Sequence, residues 1–134
     1  MTRLELPYPP SANTLKAIVR GRMVKTAKAR QYAEGCALLA KSQLGPGFAP
    51  LTGPVALTVY VRRPTRRGDL DNSLKAIQDA LKGILWVDDS QVVELHAYRS
   101  DDKLRPGVVV SAVALEARQV TALENIANAL GQKP

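Results

Sequence analysis

Hydrophobic and polar positions change period several times along the 134-residue chain, and each change marks an element. Leu4-Glu5-Leu6 alternates as a short strand, stopped by Pro7, Pro9 and Pro10, which lack the N–H that a ladder needs. Ser11-Ala12-Asn13 follows as turn chemistry. Ala17-Ile18-Val19 and Met23-Val24 flank Arg20-Gly21-Arg22 and predict a small hairpin turning at Gly21. Thr26 suits the N-cap of a helix over 27–43, where Tyr32, Cys36, Leu39 and Ala40 recur at helical spacing, and Gly45-Pro46-Gly47 ends it. Residues 55–61 read as a strand, followed by a basic loop of Arg62, Arg63, Arg66, Arg67 and Gly68. From 70 to 84 the helical period returns. At about 100° per residue, Leu70, Leu74, Ile77, Leu81 and Ile84 share one stripe, with Asp71, Lys75, Gln78, Asp79 and Lys82 on the other face. Strands near 92–99 and 107–114, joined by the charged turn Asp101-Asp102-Lys103, precede an amphipathic helix from Glu116 to about Leu130. This order, without repeats or linkers, predicts a single α+β domain over 1–134 with two or three helices against a mixed sheet.

A chain of this length, 46% hydrophobic, can bury one core without disulfides or a structural metal. The single cysteine, Cys36, among Ala33, Ala37 and Leu38, reads as a small core residue in a reducing cytoplasm. No apolar run approaches the ~20 residues that span a bilayer, and the first five residues lack a signal peptide's apolar stretch. A cytoplasmic protein with no membrane partner is expected.

The formal net charge of +7 is unevenly spread. Residues 1–68 hold twelve Lys/Arg and two acids, whereas residues 69–102 hold eight acids and three basic residues. A basic body of this kind suits a polyanion, since each neutralised phosphate releases counterions.

The acidic block is where chemistry concentrates. Asp69 and Asp71 sit at a loop-to-helix junction, Lys75 lies one turn on, and Asp88-Asp89 precede a strand, a set of groups that can converge. Asp69 and Asp71 can face one ion only if Asp69 lies outside the helix, which Gly68 permits. Hard cations such as Mg²⁺ take oxygen ligands and are often held by a few carboxylates, with water and phosphate completing the shell. His96, the sole histidine, cannot build a multi-histidine zinc site, and no Gly-rich phosphate loop is present. Each acid also has a purely structural reading: capping for Asp69 and Asp71, an i,i+4 ladder for Asp71, Lys75 and Asp79, and a β-turn for Asp88-Asp89.

Taken in order, Asp69-Leu-Asp71-Asn72-x-x-Lys75-x-x-x-Asp79-Ala-Leu, then Trp86-Val-Asp88-Asp89-x-Gln91-Val92-Val93, resembles the RusA family of Holliday junction resolvases. Pro9-Pro10-Ser11-Ala12-Asn13 and the helix entered from Thr26, with Arg30 and Tyr32 near its start, match as well. The resemblance covers roughly residues 4–115; the C-terminal segment 116–134 reads as a helical extension. It implies a RusA-like fold and a homodimeric, Mg²⁺-dependent endonuclease, with Mn²⁺ as a substitute, that resolves four-way branched DNA by paired symmetric nicks in recombination and repair. By position, the metal-holding acids are Asp69, Asp71 and Asp89, with Asp88 beside them as a fourth, and Lys75 is the catalytic or phosphate-contacting lysine. Arg66 and Arg67, and further out Arg20, Arg22, Lys25 and Lys28, are expected on the DNA backbone. The alternative is a non-catalytic, basic protein that binds branched DNA, with structural acids.

Overall fold

A computed structural model describes residues 2–11, 16–66 and 69–131. Strands β1 (Thr2–Leu6), β4 (Val55–Arg63), β5 (Val92–Asp101) and β6 (Gly107–Ala114) form one mixed sheet in the order β1-β6-β4-β5. A separate two-stranded hairpin pairs β2 (Lys16–Val19) with β3 (Arg22–Lys25). Helices α1 (Ala27–Leu44) and α2 (Leu70–Leu81) pack on the sheet and on each other, and α3 (Ala117–Ala129) closes the chain. The expected single α+β domain is the observed architecture.

Strand β4 is the spine of the sheet. Its alternation points Val55, Leu57, Val59 and Val61 into the core, all fully buried, against Ile77 and Leu81 of α2 and Cys36 and Ala40 of α1. Leu4, Leu6, Val108, Val110 and Ala112 extend the same face. The opposite face of the sheet is open, with Tyr60 and Tyr98 stacked at 6.4 Å between ring centroids. At the β1 edge, the Gln43 side chain accepts from the Glu5 N–H and donates to its C=O, both at 2.7 Å. The clasp occupies polar groups that would otherwise invite strand addition.

Several boundaries differ from expectation, each for a physical reason. Arg62 and Arg63 belong to β4 rather than to the basic loop, because pairing with β5 and β6 continues to the end of the strand. Arg63 takes an inward position and is buried. Strands β5 and β6 are not neighbours: β4 lies between them, and residues 102–106 cross over its end, where the Asp102 N–H donates to the Arg63 carbonyl at 2.7 Å. Helix α2 stops at Leu81, short of Ile84, as Lys82 turns to an extended backbone and Gly83 adopts a φ of 83°. That reversal lets the Gly83 N–H donate to the Trp86 carbonyl at 2.6 Å while Trp86 fills the core. The hairpin turn places both Arg20 (φ 52°) and Gly21 (φ 77°) in the left-handed region, as a two-residue type I′ connection requires. Helix α1 begins as read, with Thr26 Oγ1 accepting from the Ala29 N–H at 3.3 Å.

Helix α3 buries none of its residues, although its apolar positions recur at helical spacing. It therefore adds little to the folding free energy of the domain. Truncation after Glu116 should leave stability to urea within about 0.5 kcal/mol of the full chain. A markedly larger loss would mean that α3 packs against the rest of the protein.

Candidate metal and nucleic-acid site

Two acidic pairs flank α2, and the local backbone explains each. Asp69 is the N-cap of the helix, outside it, as facing one ion together with Asp71 would require, with φ −85° and ψ 151°. Its side chain makes no capping hydrogen bond. Asp71 lies in the first turn, exposed. Neither carboxylate is hydrogen-bonded or ion-paired to any described residue, so the capping and ladder readings leave both uncommitted. A helix N-terminus favours negative charge and offers backbone N–H groups to phosphate.

Beside this helix start lies a cleft of about 290 Å³, bounded by Tyr8, Pro9, Pro10, Ser11, Thr65, Asp69, Asn72 and Ser73. The proline segment after β1 is thus one wall of the acidic site rather than a mere strand stop. It is tied down by the Tyr32 hydroxyl, which donates to the Pro7 carbonyl at 2.9 Å. Tyr8, Thr65 and Ser73 were not singled out from the sequence; only their nearness to motif residues could have flagged them.

The second pair is built differently. Asp88 caps a single 3₁₀ turn, Asp89–Gln91. Its carboxylate accepts from both the backbone N–H and the hydroxyl of Ser90 and lies 3.6 Å from Lys82 Nζ. The Ser90 bonds, chiefly that of the hydroxyl, hold the Asp88 carboxyl below the usual range. Asp89 is half-buried, and one of its oxygens accepts from the Trp86 indole N–H at 2.9 Å. Asp88 therefore serves the turn, whereas Asp89 keeps an oxygen free of any described donor.

Within one chain the two pairs do not come together. β4 and β5 run parallel, so the chain returns to the start of β5 along α2, a helix of 12 residues and hence about 18 Å. Asp69 and Asp71 stand at its beginning, near the end of β4. Asp88 and Asp89 stand beyond its other end, where the Leu51 N–H donates to the Leu85 carbonyl at 2.7 Å at the foot of β4. Accordingly, no group of three or more Asp, Glu, His or Cys side chains able to hold a metal ion occurs among the described residues of one chain. The convergence expected from spacing is absent in cis.

The basic residues surround α2 from two directions. Lys75 projects from the same side of the helix as Asp71 and pairs loosely with Asp79 at 3.6 Å. At the base of the hairpin, Lys16 and Lys25 border Ala76 and Asp79, bringing β2 and β3 alongside α2. Arg20, Arg22 and Lys25 on the hairpin, Lys28 in the first turn of α1, and Arg66 after β4 are all exposed. Arg67 lies outside the described residues, as do Gly68 and Asn13. Arg63 is an organiser rather than a contact. Its guanidinium donates to Asp101 at 2.7 Å and to the Arg66 carbonyl at 3.3 Å, bracing the loop that leads to Asp69. No helix among the described residues is long and apolar enough to cross a membrane.

Comparison with known proteins identifies the family to which the chain is similar. The family described as Endodeoxyribonuclease RusA matches residues 7–112. The chain is 40% identical over 94 residues to a crossover junction endodeoxyribonuclease of Enterobacteria phage 82, and 39% and 38% identical to proteins of that name from Escherichia coli and Shigella sonnei. Each alignment covers 68% of this chain and 76% of the relative.

The Arg63 guanidinium holds the Asp101 carboxyl below the usual range. A depressed carboxyl contributes stability that is present above its unfolded pKa and is lost as pH falls through the folded one. Asp101→Asn should thus melt below the wild type at pH 7, and the gap should narrow as pH drops below about 4. A gap independent of pH in thermal melts would contradict the pairing.

Proposed function

Because the chain belongs to the RusA family of endodeoxyribonucleases, we propose that it resolves four-way DNA junctions in the cytoplasm by paired nicks. Asp69, Asp71 and Asp89 hold Mg²⁺ in this reading, and two copies of the chain form the working unit. The observation that carries it is the state of Asp69 and Asp71, two uncommitted carboxylates at a helix start, the first of them lining the adjacent cleft.

The donor set fits the ion. Carboxylate oxygens are what Mg²⁺ prefers, and a few of them suffice, with water and phosphate in the remaining positions. Bound there, the ion supplies Lewis acidity toward a phosphate oxygen and lowers the pKa of coordinated water. The chain's own residues supply orientation and charge. Lys75 has an exposed, weak partner in Asp79, a pairing of about 0–1 kcal/mol that a phosphate oxygen can displace. Its ammonium then sits beside charge developing on that oxygen. Arg66, Arg67 and the basic residues of the hairpin and α1 neutralise backbone phosphates on either side.

Separation of the acids along α2 supports the homodimer. One chain keeps Asp89 far from Asp69 and Asp71, whereas a two-fold related copy set antiparallel along α2 brings the end of one helix to the start of the other. Two such composite sites related by two-fold symmetry suit two symmetric cuts.

The test is a synthetic four-way junction with and without Mg²⁺. Wild type should cut it in symmetric pairs only with the ion. Asp69→Asn, Asp71→Asn and Asp89→Asn should each lose on the order of 10²-fold or more in cleavage while binding junctions as well as wild type or better. Binding without cutting by the wild type would leave only a junction-binding protein. Sedimentation should give a dimer; a fully active monomer at all concentrations would contradict the two-copy unit.

A further inference from the structure

The most completely bonded polar side chain of the acidic region is not an acid. Gln91 uses all four hydrogen-bonding positions of its amide. Oε1 accepts from the Val87 and Asp88 N–H groups, each at 2.8 Å, and Nε2 donates to the Leu51 and Gly53 carbonyls at 2.8 and 2.9 Å. The opposite amide orientation would set N–H against N–H and carbonyl against carbonyl, so the assignment is unambiguous. One side chain thereby ties the turn that carries Asp89 to the segment at the foot of β4. A second restraint acts on the carboxylate itself. Trp86, fully buried, donates its indole N–H to one Asp89 oxygen and leaves the other free of described partners.

We propose that Gln91 and Trp86 are positioning residues for Asp89, Gln91 fixing the backbone of the turn and Trp86 fixing the carboxylate rotamer, so that a single oxygen is presented outward. The proposal rests on the reading of Asp89 as a metal-holding acid. A turn tethered only for stability would need the Gln91 cap but not the indole bond, and its loss would lower the melting temperature without changing chemistry in the folded protein. Positioning of a ligand has another signature: loss of such an outer hydrogen-bonding partner typically costs about 10–100-fold in metal affinity or activity.

Trp86 is the sole tryptophan, so the protein has one indole N–H signal in a nitrogen-correlated NMR spectrum. Addition of Mg²⁺ to the wild-type protein should move that signal saturably, and Asp89→Asn should abolish the movement. Gln91→Glu retains the cap acceptor but turns an oxygen toward the Leu51 and Gly53 carbonyls. Trp86→Phe removes the donor and keeps most of the bulk. Each variant, when folded, should bind junctions normally and show tenfold or greater loss in single-turnover cleavage at saturating junction, or an equal rise in the Mg²⁺ concentration for half-maximal rate. Wild-type cleavage and Mg²⁺ dependence in either folded variant, with Asp89→Asn inactive, would overturn the role of that residue. An indole signal unmoved by Mg²⁺ in the wild type would overturn the proposal even if both variants fail to fold. Full cleavage by Asp89→Asn would instead remove the functional reading of Asp89 on which it rests.

Discussion

Parallel pairing of β4 with β5 is the constraint from which the remaining architecture follows. Parallel neighbours cannot be joined by a tight turn, so the chain must travel back along the sheet before β5 begins. Helix α2 makes that return and, in doing so, covers the inward face of β4 with Ile77 and Leu81. It also fixes where the chemistry goes. Whatever precedes α2 lies at one end of the sheet, and whatever follows it lies at the other. Acids that the sequence sets about 20 residues apart are thus held apart in space by the element between them, and the proposed two-copy unit is the arrangement that would reunite them.

The two ends of α2 are stabilised by different means. At its beginning the loop after β4 is braced by Arg63, a buried guanidinium whose charge is answered by Asp101 from the neighbouring strand. A buried charge is tolerated only with such a partner. Beyond the far end, the turn carrying Asp88 and Asp89 is pinned by Gln91 and by Trp86. Asp89 is thus rigidly supported, as its proposed role would need, while the uncommitted Asp69 and Asp71 take their geometry from the helix start itself.

Elements with a clear period or a recognisable terminus were legible in the sequence. Thr26 opened α1, Gly21 turned the hairpin, and the apolar run over 107–114 gave β6 its bounds. The position of Asp69 outside α2 was the condition that angular spacing set for Asp69 and Asp71 to face one ion, and the helix does begin after it. Strand order was not legible, since a charged turn between two strands looks the same whether they pair or are split by β4. Arg63 was hidden because its charge matched the loop that follows, and only the pairing register turns it inward. The acids could be named from their motif, but spacing along a chain does not say at which end of a crossover each falls. Cys36, read as a small core residue, is buried as its neighbours suggested.

The central claim is that Asp89 of one copy works with Asp69 and Asp71 of another, and subunit mixing tests it most directly. Asp71→Asn and Asp89→Asn proteins, each inactive alone, would be mixed, denatured and refolded together. If the sites are shared between copies, each mixed dimer holds one fully intact site and one doubly altered site, so nicking of junction strands returns. If every site is made from a single chain, every site in the mixture carries one altered acid. The account predicts recovery of nicking in the mixture; a mixture as inactive as its components, despite demonstrated exchange of subunits, would contradict it.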